Sequence, residues 1–184
     1  MNNNIIYNSS KDYESPKIEI LVVENRSAIC DYSYVHGNHD ENYKRIRPLG
    51  CINIEDKIYV HNGVRILGLG GSRKYRDGAH QYTESQMKRH SRKLWPKLMY
   101  HKGFDILLTH APARGHGDLD TPTHAGFDTF VHLMDKYEPS YHIHGHVHLN
   151  YNLGAPRVRK YNNTTLINAY ERYVFEFDEK KIGR

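Results

Sequence analysis

Cysteine is scarce. Only Cys30 and Cys51 occur, neither in a CxxC pair, so neither a disulfide framework nor a thiolate zinc site is expected. No apolar run approaches the roughly 20 residues that span a bilayer. The opening MNNNIIYNSSKDYE carries neither a basic stretch nor an apolar one, which argues against an export signal; a cytoplasmic protein without membrane contact is the expectation. Also missing are a GxGxxG or P-loop spacing, an internal repeat and a low-complexity linker.

What the chain does contain is histidine, fourteen in 184 residues. Imidazole is the commonest metal ligand and titrates near neutrality, so the positions of these residues matter more than their number. The length fits one domain, expected over residues 1–184. A chain of this size buries roughly 70% of its unfolded surface, enough for a core without staples. Lys and Arg outnumber Asp and Glu by 26 to 21, a net +5 compatible with an anionic partner, whether a phosphorylated compound or nucleic acid. The fifteen tyrosines form no stacking-platform motif, and no pattern speaks for a particular oligomeric state.

Hydrophobic periodicity organises the chain. Ile5 to Tyr7 suits a short strand, Ile18 to Val23 a longer one, and Asp31 to Val35 alternates into HGNHD. KIYVHNGVRILGLG, Lys57 to Gly70, reads as two strands around Asn62-Gly63, a dipeptide suited to a two-residue type I′ turn. Thr83 to Gln86 reads as a capping box opening a basic helix towards His101, which Pro96 should kink or split. The run from Phe104 to Thr109 suits a strand buried on both faces, with His110 at its C-terminal end. A loop over 111–125 precedes a helix from about Phe127 to Tyr137, with Phe127, Phe130, Val131 and Met134 on one face. Tyr141 to Ile143, Thr164 to Asn168 and Tyr173 to Phe177 complete the strands, and the whole predicts a layered α/β sandwich with a mixed sheet.

Three expected strands end in metal-binding side chains: Gly37-Asn38-His39-Asp40, Thr109-His110-Ala111-Pro112 and Gly145-His146-Val147-His148. Ligands in open α/β sheets gather outside the carboxyl ends of strands, so these segments are candidates to converge. In the HxH, an extended backbone would point both rings to one side about 7 Å apart at Cα, able to hold one metal or two neighbouring ones.

In this ordered trio, and in YVHGNHD, GLGGS, LLTHAP and TTLINAY, the chain resembles the calcineurin-like metallophosphoesterases over residues 34–148. The resemblance implies a layered αββα sandwich of mixed sheets flanked by helices, and a two-metal-type site hydrolysing a phosphate monoester or diester. By position, Asn38, His110 and His146 would bind one metal and His148 the other. His39 would act as general acid or stabilise charge in the transition state, and Asp40 would fix the loop. The cofactors implied are one or two divalent ions per chain, with Mn, Fe, Zn and Ni all open. Two such ions clamp the attacking and leaving oxygens of an in-line displacement and make hydroxide available near pH 7. The implied partner is a small phosphorylated substrate or phosphodiester.

The chain departs from the family's pattern at its start. No DxH precedes Asn38; Asp12, 26 residues ahead of it, is the candidate for the bridging aspartate, with Lys11 in place of the family's glycine. The alternative is therefore a diverged copy lacking the first strand, an inactive or weakly active remnant that binds a divalent metal.

Plainer roles accompany these. His142 and His144 lie within a strand and suit packing. The stretch 114–124, RGHGDLDTPTH, either contacts substrate or folds on itself. GLGGS suits a tight strand exit, and Lys88, Arg89, Arg92, Lys93 and Lys97 suit the solvated face of a helix rather than a nucleic-acid patch.

Overall fold

The computed structural model describes residues 17–23, 26–29, 33–40, 51–151, 154–170 and 172–176. The expected strand at Ile5 to Tyr7, and Asp12 with it, lie outside them.

Chain order begins with strands β1 (Lys17–Val23), β2 (Arg26–Ile29), β3 (Ser33–His36) and β4 (Ile52–Asn53). Next come β5 (Lys57–His61), β6 (Val64–Leu69), β7 (Ser72–Arg73) and β8 (Gln81–Tyr82), then helices α1 (Glu84–Lys93) and α2 (Trp95–Tyr100). β9 (Ile106–Thr109), α3 (Asp128–Tyr137), β10 (Tyr141–His144), β11 (Val158–Tyr161), β12 (Thr164–Asn168) and β13 (Arg172–Glu176) follow.

The strands make two principal sheets. One has the order β13-β1-β2-β3-β4, antiparallel except for the parallel β3–β4 pair. The other has the order β11-β12-β10-β9-β6-β5, in which β6, β9, β10 and β12 run parallel and their carboxyl ends share one edge. β5 and β6 form the hairpin expected at Asn62-Gly63, where φ is +47° and +83°, as a type I′ turn requires of both central residues.

Alternation along the parallel strands explains the layers. Ile66, Ile106, Leu108, Ile143 and Ile167 pack towards the first sheet, meeting Val35 and Tyr173. Leu67, Leu107 and Leu166 point the other way, against Met87, Leu94, Leu98, Phe130, Leu133 and Met134 of the helical layer. β9 is thus buried on both faces, as its unbroken apolar run predicts. The fold is mixed α/β, a six-stranded mixed sheet carrying helices on one face and the smaller sheet on the other.

The capping box at Thr83 and Gln86 is formed, and the basic segment divides at Leu94, with Pro96 in the first turn of α2. α3 turns Thr129, Phe130, Leu133 and Met134 inward, with Val131 only half-buried, and begins at Asp128 with the buried Phe127 as its N-cap. Unforeseen are β2 and β11, short hairpin partners of β1 and β12, and the two-residue strands β4, β7 and β8.

Candidate metal centre

β3 delivers Asn38 through a tight turn. The Gly37 N–H donates to Asp40 Oδ2 at 2.7 Å, and the Asp40 N–H donates back to the Gly37 carbonyl at 3.2 Å. Asn38 is thereby buried, its Nδ2 donating to the Tyr75 hydroxyl at 3.1 Å and its Oδ1 lying 2.9 Å from His110 Nε2. His39, next in the turn, is exposed.

β9 delivers His110, and the exit of β10 is tied to it by the Gly145 N–H donating to the His110 carbonyl at 3.0 Å. Here the extended backbone expected of HxH is not found. His146 has φ +64° and the Val147 N–H folds back onto the Gly145 carbonyl at 2.7 Å, so the chain turns sharply at His146. A left-handed conformation costs a non-glycine residue about 1–2 kcal/mol, and such strain concentrates at functional sites. The turn brings His146 Nδ1 to 3.0 Å from His110 Nε2. His148 leaves in another direction, its ring stacked on Tyr170 at 4.4 Å.

His146 Nε2 donates to the Thr123 carbonyl at 2.7 Å, which fixes the tautomer and leaves the Nδ1 lone pair facing His110. Burial, followed by the nearby His146, His39, His144 and His148, holds His110 well below the ordinary imidazole range. Burial likewise takes His146 down to about 4, against the opposing pull of its bond to Thr123. Both rings are therefore neutral lone-pair donors at pH 7.

The donor set fits a divalent cation. Asn38 Oδ1 and His146 Nδ1 stand 2.9 and 3.0 Å from His110 Nε2. Neighbouring corners of a six-coordinate ion with bonds near 2.1 Å are about 3.0 Å apart. Oxygen plus imidazole suits Mn, Fe, Zn or Ni. Among the described residues, the His, Cys, Asp or Glu trio with ligand atoms mutually within 4.8 Å is a different one, His36, Glu55 and His80.

His142 and His144 are packing residues. Thr109 donates its hydroxyl to the Ala111 carbonyl and accepts from His142 Nε2 at 2.9 Å, deep in the sheet. Burial depresses both imidazoles, His144 to about 4. The 114–124 stretch folds on itself around Asp118, which accepts the Gly115 and Gly126 N–H groups at 2.8 and 2.9 Å. It still touches the site, through Thr123 and through His124, whose ring is 5.4 Å from that of His146. GLGGS is a tight strand exit, with Gly71 at φ +80° beneath the His80 carbonyl. The five basic residues between Lys88 and Lys97 are exposed. Tyr75, Glu55 and His80 lie in no motif, and His36 and Thr123 lie in noted segments without a role assigned there; only the folded chain shows what these five residues meet.

The sequence model of the calcineurin-like phosphoesterase family matches residues 11–150, most of the chain. The chain belongs to that family. Its shared chemistry is metal-dependent phosphoester hydrolysis. Among curated relatives, the UPF0046 protein T07D4.2 of Caenorhabditis elegans is 29% identical over 120 residues, 64% of this chain and 29% of the relative. UPF0046 protein K07C11.7 of the same worm is 29% identical over 165 residues, covering 83% of this chain and 51% of the relative. The chain thus spans no more than about half the length of these relatives. Among solved structures, TT1561 of Thermus thermophilus superposes with a TM-score of 0.50 at 15% identity, covering 77% of this chain and 63% of its own. That likeness is one of fold. Among the described residues no helix is long and apolar enough to cross a membrane.

Proposed function

We propose that this phosphoesterase hydrolyses a small phosphate monoester or diester at the Asn38–His110–His146 cluster. The observation that carries the reading is the meeting of three donor atoms from three separate strand exits, with Asn38 Oδ1 and His146 Nδ1 at 2.9 and 3.0 Å from His110 Nε2. Asn38, His110 and His146 would hold one divalent ion, and His148 would serve a second. Such ions supply Lewis acidity to a phosphoryl oxygen and neutralise charge on it.

The chain's own residues supply position and protons. Asp40 holds the turn that aims Asn38, Tyr75 fixes the amide's orientation, and Thr123 fixes the His146 tautomer. His39 is exposed on that turn and close enough to influence both His110 and His146, where its imidazole would protonate the leaving oxygen or stabilise charge on it. A positioned acid of this kind is typically worth about 10²–10⁴ in rate. Phosphoryl transfer asks little else of a protein than positioning and positive charge.

The test is hydrolysis of p-nitrophenyl phosphate and bis(p-nitrophenyl) phosphate with added Mn²⁺. Turnover should be lost in Asn38→Ala and His146→Ala and reduced about 10²–10⁴-fold in His39→Ala. Activity no higher in the parent than in those variants would refute the reading. One observation favours the remnant alternative: among the described residues no carboxylate joins the His110–His146 pair. In that case a single Mn²⁺ equivalent binds and both substrates stay intact.

A further inference from the structure

Beside these donors, the residue that ends β3 meets two residues from segments the first cluster does not use. His36 ends β3, Glu55 follows β4 and His80 precedes β8, and their ligand atoms all lie within 4.8 Å of one another. His36 Nδ1 touches Glu55 Oε2, and His80 Nδ1 is 3.7 Å from Glu55 Oε1. The two imidazoles are stacked, with centroids 4.4 Å apart and planes 19° from parallel. We propose that His36, Glu55 and His80 form a second divalent-cation site, for zinc or a neighbouring first-row transition ion, which clamps the root of the Gly37–Asp40 turn.

A hydrogen-bonded clamp without a cation satisfies this geometry poorly. At 3.7 Å, His80 Nδ1 stands beyond good hydrogen-bonding distance of Glu55, and among the described residues this buried nitrogen has no hydrogen-bond partner. One cation satisfies both nitrogens and the carboxylate together. Tetrahedral ligands at bonds of about 2.1 Å stand roughly 3.4 Å apart, near the His80–Glu55 separation; the tighter His36–Glu55 contact would spread on loading. Two imidazoles and one carboxylate with an open fourth position are a familiar zinc set.

The surroundings are arranged for such a site. Asn53 accepts the Glu55 N–H at 3.0 Å through Oδ1 and so fixes the backbone that carries this carboxylate. A Cβ on Gly70 would come within 2.8 Å of both Glu55 Oε1 and the His36 carbonyl, and one on Gly71 within 2.5 Å of the His80 carbonyl. Only glycines let the β6 exit close this tightly over the cluster. His80 is itself held at φ +53°, a left-handed position from which its ring faces inward.

The test uses the full chain stripped with chelator and titrated with Zn²⁺, with Co²⁺ as a spectroscopic probe. His110→Ala/His146→Ala removes the other cluster and should retain one zinc equivalent, with the intense visible band of four-coordinate Co²⁺. In that background Glu55→Gln or His80→Asn should weaken that zinc by more than the roughly 10–100-fold that loss of an outer hydrogen bond brings. Asparagine tolerates the left-handed backbone at 80, so the second variant separates ligation from folding. Two outcomes would overturn the site: no zinc retained by the double variant, or unchanged zinc affinity when Glu55→Gln and His80→Asn are added to it.

Discussion

Asp40 shows at the scale of one residue how the chain sets its chemistry. The carboxylate touches none of the three clustered donors; it accepts the Gly37 N–H and so shapes the turn that aims Asn38. Removing such an outer contact typically weakens a metal site or its activity about 10–100-fold. Asp40→Ala should therefore lower Mn²⁺ affinity at the Asn38 cluster by that factor, measured by calorimetric titration of stripped protein. Asp40→Asn keeps an oxygen for Gly37 and should lose less; equal losses would show that this hydrogen bond is not what positions Asn38. The turn was legible in HGNHD, since Asn, Asp and Gly favour such backbones. The left-handed turn at His146 was not, because HxH read alone suits an extended strand, and the bend goes with contacts to distant residues such as the Gly145 bond to the His110 carbonyl and the His146 bond to the Thr123 carbonyl.

Among the elements, α3 depends on a residue of another helix. Phe127 offers no side-chain cap. Instead Glu84, in the first turn of α1, accepts the Thr129 N–H and hydroxyl at 2.8 and 2.5 Å and the Asp128 N–H at 3.2 Å. The same carboxylate binds the Arg73 guanidinium at 2.7 Å. It thus satisfies orphan amides of α3 and opposes the positive end of that helix's dipole. Glu84→Ala should destabilise the protein by about 2 kcal/mol, the upper range for a lost cap, read as a lower urea midpoint at unchanged m-value. A loss no larger than the few tenths expected of a surface site would disprove the role. Sequence marks Glu84 only as a good first-turn residue of α1, for the contact with α3 spans 45 positions.

For the whole molecule, the buried imidazoles set the response to acid. His110, His142, His144 and His146 all titrate below the ordinary value of 6.5, His144 and His146 at about 4. Burial is the leading cause in each, and it disfavours the charged form. Below pH 6.5 the unfolded chain then binds protons that the native one refuses, so stability falls as pH drops from 6.5 towards 4. His144 alone accounts for about 3 kcal/mol across that window. The metal-free protein should hold a steady urea midpoint between pH 7.5 and 8.5 and lose several kcal/mol by pH 5. A midpoint unchanged between pH 7.5 and 5 would show these rings to be solvated.

What sequence alone determined was local: the hairpin at Asn62-Gly63, the capping box at Thr83, the doubly buried strand before His110, and the ordered motifs that mark the family. Each depends on residues a few positions apart, where turn chemistry and side-chain period act directly. Tertiary structure decided which distant atoms meet. His110 lies 72 positions from Asn38 and 36 from His146; the parallel neighbours β9 and β10 bring the two histidines together, and β3 of the other sheet, packed across from them, adds Asn38. His36, Glu55 and His80 meet for the same reason, through packing across strand exits that no local spacing encodes.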